Sequence, residues 1–170
     1  QYLFEFQTQV ARLFAMDVAN ASLYDGSTAT LEAILMASRV TKRKKALISA
    51  GLHPHYVDVA RSMTAYSDDE LIINDPKLNL GAPGDDTDIL SDQIDDETSC
   101  VVVQYPNVFG HISDFTDLGR RAREKGALLV VIVTEPVALG AIRAPGDMGA
   151  DIVAGEGQSI GVGLQFGGPY

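Results

Sequence analysis

Leu3, Phe6, Val10, Leu13 and Phe14 recur every three or four positions, so residues 1–16 predict a helix with one apolar face. Residues 17–26 are rich in side chains that bond their own backbone and predict a turn-rich connection. Residues 27–37 predict a second helix with a ready N-cap in front of it. The pattern then shortens. The apolar run 46–49 predicts a buried strand, 51–55 its following turn, 56–66 a helix and 70–74 a second strand. Gly81, Pro83 and Gly84 break residues 75–88 into an irregular loop, and the acidic stretch 85–97 reads as solvated. Later the rhythm is regular: strand 100–104, a loop through 106–110, helix 114–125, strand 127–133 and a short buried strand 151–154. Strand, helix and strand at this spacing form a βαβ unit, which requires a parallel sheet, so the fold class is α/β.

The length of 170 residues suits one domain with a substantial core, and 46% apolar against 21% charged residues is globular composition. A formal net charge of −10 repels phosphate backbones and anionic lipid, which argues against nucleic acid and membrane partners. The one basic run, 41–45, reads as a solvated helix end whose cations face the negative end of the macrodipole. Cys100 is the single cysteine, so no internal disulfide forms, and its neighbours Val101 to Val103 predict a buried thiol. No leader pattern or membrane-length apolar run is visible, which implies a bacterial cytoplasmic location, or the mitochondrial matrix if the source is eukaryotic. The chain stops at Gly167-Gly168-Pro169-Tyr170 without a closing helix, and this reads as a fragment boundary.

Candidate chemistry gathers after the strands, where ligands of open α/β sheets bind. Gly155-Glu156-Gly157-Gln158-Ser159-Ile160-Gly161 follows a strand, but its spacing is GxGxxxG and no helical pattern succeeds it. Tight turns are therefore favoured over a pyrophosphate cradle. Asp25-Gly26-Ser27-Thr28 sets backbone N–H groups and hydroxyls at a helix start, where an anion is stabilised; the local pattern favours a plain N-cap over a phosphate site. His53 and His55 have no matching His, Cys or carboxylate cluster, so no metal site is expected. Stacking on a planar cofactor and simple loop hydrogen bonding both suit His53. Glu135, after the 127–133 strand, is equally compatible with a site and with a solvated loop.

The segments 19–29, 101–107, 149–159 and 166–170 (ANASLYDGSTA, VVVQYPN, GADIVAGEGQS, FGGPY) resemble the P-protein of the glycine cleavage system. The likeness is greatest to the N-terminal half of glycine dehydrogenase (decarboxylating), which is called subunit 1 where the enzyme is split, and it spans nearly the whole chain. The resemblance implies a pyridoxal-phosphate (PLP) fold of type I, with this chain as the three-layer α/β/α, mostly parallel large-domain sheet, a single domain over 1–170 that is a fragment of the large domain. It also implies decarboxylation of glycine and transfer of the aminomethyl group to lipoylated H-protein. In the family's catalytic half a lysine holds PLP nine residues before a Gly-Gly-Pro. Nine residues before Gly167 stands Gln158, whose amide cannot form an imine. The last lysine is Lys125.

The resemblance further implies that Gly26, Ser27 and Thr28 occupy an ancestral phosphate cradle. His53 falls near the ring-stacking position and Glu135 near the pyridine carboxylate, where the family usually has Asp-Pro. Together these read as a degenerate cofactor site, with PLP held covalently by the partner half. Fold-type-I sites form between paired large domains, so Tyr24 and Asp25 are expected to reach towards the catalytic partner. A truncated sheet exposes an edge strand and apolar surface, so self-association of the fragment is also expected. The alternatives are a non-enzymatic scaffolding module and a dinucleotide-binding oxidoreductase domain.

Overall fold

The computed structural model describes residues 1–76, 82 and 84–161. The described residues form five α-helices and five strands in the order α1 (Tyr2–Phe14), α2 (Gly26–Thr41), β1 (Lys45–Ile48), α3 (Pro54–Thr64), β2 (Glu70–Ile73), α4 (Thr87–Gln93), β3 (Thr98–Gln104), α5 (Thr116–Glu124), β4 (Leu128–Val133) and β5 (Ile152–Gly155). Short 3-10 turns at Pro136–Gly140, Gly146–Met148 and Gln158–Ile160 fill the connections around β5. The strands form one sheet in the order β2-β1-β3-β4-β5, with every pairing parallel.

Side chains alternate across a strand, so β3, buried at every position, and β4, apolar throughout, must be covered on both faces. Leu47, Val101, Val103, Leu129, Val131 and Val133 pack on one side with Phe14, Leu90, Leu118 and Ala122 from α1, α4 and α5. Ala46, Ile48, Cys100, Val102, Val130 and Ile132 pack on the other with Ala29, Ala33, Ile34, Ala37 and Ala60 from α2 and α3. The expected three layers result. Alanines line the inner face of α2, and they let that helix lie close over the middle of the sheet.

Two expectations change. The acidic stretch 85–97 is not solvated throughout: it contains α4, with Leu90 fully buried and Asp86 only 2% exposed. Asp86 Oδ1 accepts from Ser49 Oγ at 2.6 Å, and Oδ2 accepts from Ala50 N at 2.9 Å and Asn74 Nδ2 at 2.7 Å. A carboxylate with three donors satisfies its own desolvation, which composition alone cannot register. The basic run is also drawn partly into contacts, although Lys42 and Lys44 stay exposed. Arg43 Nη1 donates to Thr98 O at 3.1 Å and to Lys125 O at 2.7 Å beyond the C-terminus of α5, while Lys44 pairs with Asp69 and Lys45 with Asp95. Its cations brace the amino edge of the sheet and meet the carbonyl end of α5 instead of their own helix.

Because all strands are parallel, their carboxyl ends share one edge. The turns after β1, β3, β4 and β5 therefore converge there. Gln104, buried at the end of β3, ties three of them: its Oε1 accepts from His53 N at 2.8 Å, and its Nε2 donates to Pro106 O at 3.1 Å and Thr134 Oγ1 at 3.3 Å.

Candidate functional site

Helix α2 points its N-terminus at this edge, and Asp25 is its N-cap. Asp25 has extended backbone geometry, and its Oδ1 accepts from Thr28 N at 2.7 Å, Thr28 Oγ1 at 2.6 Å and Ser27 Oγ at 3.0 Å. The Thr28 hydroxyl also faces Asp25 N, closing a capping box. The hydrogen bonds from Thr28, then Ser27, hold the Asp25 carboxyl below the usual carboxylate range. The hydroxyls of Ser27 and Thr28 thus serve a carboxylate of their own turn.

The Gly26 N–H is taken by a residue far away in sequence. Glu156, just past β5 and 9% exposed, accepts it on Oε1 at 2.7 Å, and the same oxygen accepts from Tyr56 OH on α3 at 3.0 Å. A Cβ at position 26 would overlap the Tyr56 hydroxyl and lie 2.5 Å from Glu156 Oε1, so glycine is what admits the carboxylate. The donors at the start of α2 are therefore engaged by two carboxylates, one local and one remote.

The other expected site residues lie around this centre. His53 ends the turn after β1 and caps α3: its Nδ1 accepts from His55 N at 3.2 Å, and its ring sits 5.1 Å from His55 and 5.3 Å from Tyr56. It joins the centre through Tyr56. Glu135, exposed after β4, accepts on Oε1 from Val137 N at 3.0 Å and Ser159 Oγ at 2.6 Å, which staples the 136–140 turn to the 158–160 turn. Gln158 is exposed in that second turn. Tyr24 is 98% exposed. Tyr24, Asp25, Glu156 and Gln158 border a groove of ≈ 1090 Å³ between α1, α2 and the end of β5, with Phe6, Phe14 and Leu23 on its apolar side. His53 and Glu135 do not border it.

The Gly-rich stretch does not build a dinucleotide cradle, since Gly157 precedes a single 3-10 turn and no α-helix starts there. Its continuation to Gly168, with the Gly-Gly-Pro, lies outside the described residues. Among the residues described at this edge, Gln158 offers no amine for a Schiff base with PLP, and the Glu156 and Asp25 carboxylates hold the N–H groups of Gly26 and Thr28. Glu156 and Tyr56 are the residues that sequence reasoning passed over. An acid between two glycines directly after a strand was the available signal; no local pattern linked it to Gly26.

The sequence model of a family described as glycine cleavage system P-protein matches residues 1–170. A glycine dehydrogenase (decarboxylating) subunit 1 from Rhizorhabdus wittichii is 69% identical over all 170 residues, and one from Methylocella silvestris is 58% identical. The chain spans 37% of the length of each. Among solved structures, the inhibitor-bound glycine decarboxylase (P-protein) of the glycine cleavage system superposes with TM-score 0.82 at 37% identity, covering 99% of this chain and 36% of that one. A cystathione gamma lyase from Micromonospora echinospora, at 18% identity, shares the fold with TM-score 0.62 over 88% of this chain and 36% of its own.

Proposed function

Because the chain belongs to the glycine cleavage system P-protein family, we propose that it is part of the non-lysine-bearing half of a PLP-dependent glycine decarboxylase. In this reading the assembled enzyme decarboxylates glycine and passes the aminomethyl group to lipoylated H-protein. The catalytic half or subunit holds PLP covalently, and the assembly works in the bacterial cytoplasm. This chain supplies a wall to the shared site. The observation that carries the reading is Gln158 at the position where the family's catalytic half has its lysine, beside a helix N-terminus already filled by Asp25 and Glu156.

No chemical step is assigned to this chain. Gly26, Ser27, Thr28, His53 and Glu135 are the remains of a cofactor site, with their polar groups engaged by protein partners. Tyr24 and Asp25 are the residues that reach the partner. Tyr24 is almost wholly exposed beside the groove, and its connection is anchored at Asp25 by the α2 cap.

Borohydride reduction of the full-length assembled enzyme tests this. The pyridoxyl label is expected on a lysine of the catalytic partner, and a label on this chain overturns the reading. Tyr24→Phe and Asp25→Asn are expected to lower glycine decarboxylation by the assembly by roughly tenfold or more, the scale on which loss of one positioning contact acts. Full activity in both variants would make the loop merely structural.

A further inference from the structure

We propose that Glu156 is an internal anion that closes the α2 N-terminus to phosphate-bearing ligands. This deepens the reading of a degenerate cofactor site and rests on it, by naming the group that keeps the cradle shut. Three observations carry it. First, the carboxylate is surplus to capping. Asp25 already completes a capping box with Thr28, whereas Glu156 arrives from 130 residues away and is nine-tenths buried. Ordinary caps are local. Second, Glu156 is fixed from two elements at once, by Gly26 N of α2 and Tyr56 OH of α3, in the space that a Cβ on Gly26 would fill. The position is thus built around this carboxylate.

Third, the charge is already complete. Asp25 and Glu156 as carboxylates bring two negative charges to a helix end worth about half a positive charge. A phosphate monoester carries about the same charge as the pair, roughly −1.5 to −2. Adding it would set a dianion against two carboxylates and leave it without the Gly26 donor. Like charges at that range oppose binding. One acid two residues before Gln158 therefore does the phosphate's electrostatic work, and it ties the loop after β5 to α2 without a ligand.

The test uses the full-length chain, with inorganic phosphate as the probe and chloride at matched ionic strength as the control. Wild-type protein is expected to melt at the same temperature in both. Glu156→Gly, which vacates the position, is expected to melt about 2–4 °C higher in 10 mM phosphate than in chloride. Glu156→Gln, which keeps the volume and an acceptor oxygen but removes the charge, is expected to respond by less than Glu156→Gly. A phosphate response in wild type equal to that of Glu156→Gly overturns the proposal, as does a folded Glu156→Gly indifferent to phosphate. If Glu156→Gly folds only when phosphate is present, the proposal stands; if phosphate does not restore it, the proposal fails. Neither glycine nor PLP enters this measurement, so its failure is read apart from that of the borohydride experiment.

Discussion

The Asp25 carboxylate accepts from three atoms of its own turn, so its removal should be felt as a lost cap. Asp25→Ala is expected to cost about 1–2 kcal/mol in the denaturant midpoint. The penalty should depend on pH. Hydrogen bonds from Thr28 lower the folded-state pKa below the unfolded value, so the stabilisation is complete above the unfolded pKa, about 3.9, and is lost as pH falls through the folded value. The melting temperatures of wild type and Asp25→Asn should differ at pH 7 and converge towards pH 2. Asp95, held down to about 2 first by the Lys45 ammonium, adds to the same acid loss, between pH 4 and pH 2. Cys100 is the opposite case. Burial pushes its thiol up to about 12, and the Ser99 hydroxyl is a hydrogen-bonding neighbour. Iodoacetamide should leave it untouched in the native protein and alkylate it once the chain is unfolded.

Elements inherit these local rules and then compete for space. β3 is buried at all seven positions and is paired on both sides, whereas β2 has one neighbour and no fully buried residue. Amide hydrogen exchange should therefore be slowest in β3 and β4 and fastest, among the strands, in β2. Besides the apolar anchor Leu90, the α4 segment is tied down at its N-cap by the buried Asp86 carboxylate. Asp86→Ala would strand the Ser49 hydroxyl, the Ala50 N–H and the Asn74 amide inside the protein, and should cost on the order of 3 kcal/mol by chemical denaturation. Asp88, on the same short helix and without such partners among the hydrogen bonds described, serves as the control: Asp88→Ala should stay within about 0.5 kcal/mol.

At the scale of the molecule, the apolar surface of α1 is conspicuous because it has no cover. Tyr2, Leu3 and Phe4 are exposed, while Ala11 and Phe14, at the other end of the same helix, are buried. Helix α1 holds to the sheet through Phe14, whose ring lies 3.2 Å from the place of a Cβ on Gly155. The 170-residue chain by itself should self-associate with rising concentration, and Phe4→Glu should shift it towards monomer in sedimentation without changing its melting temperature. In a chain of the length that its relatives have, of which these residues span 37%, that substitution should not have the same effect.

Much of this architecture was legible in advance because period and burial are one-dimensional signals. The switch between helical spacing and continuous valine runs located α1, α2, α3, α5 and every strand to within a few residues, and the βαβ rhythm made the sheet parallel. Helix α4 escaped because seven residues give too little periodicity, and its acids masked Leu90. The resemblance carried by GEGQS implies a glutamine where the family's catalytic half has its lysine, an expectation that comes from the sequence alone. What the sequence could not show is where Glu156 goes. Its partners, Gly26 and Tyr56, stand 130 and 100 residues away and meet it only because a parallel sheet gathers the ends of separate strands at one edge. Chain order determines which residues exist to be used; closure of the sheet decides which carboxylate reaches which helix end, since hydrogen bonding acts over about 3 Å of space and is blind to distance along the chain.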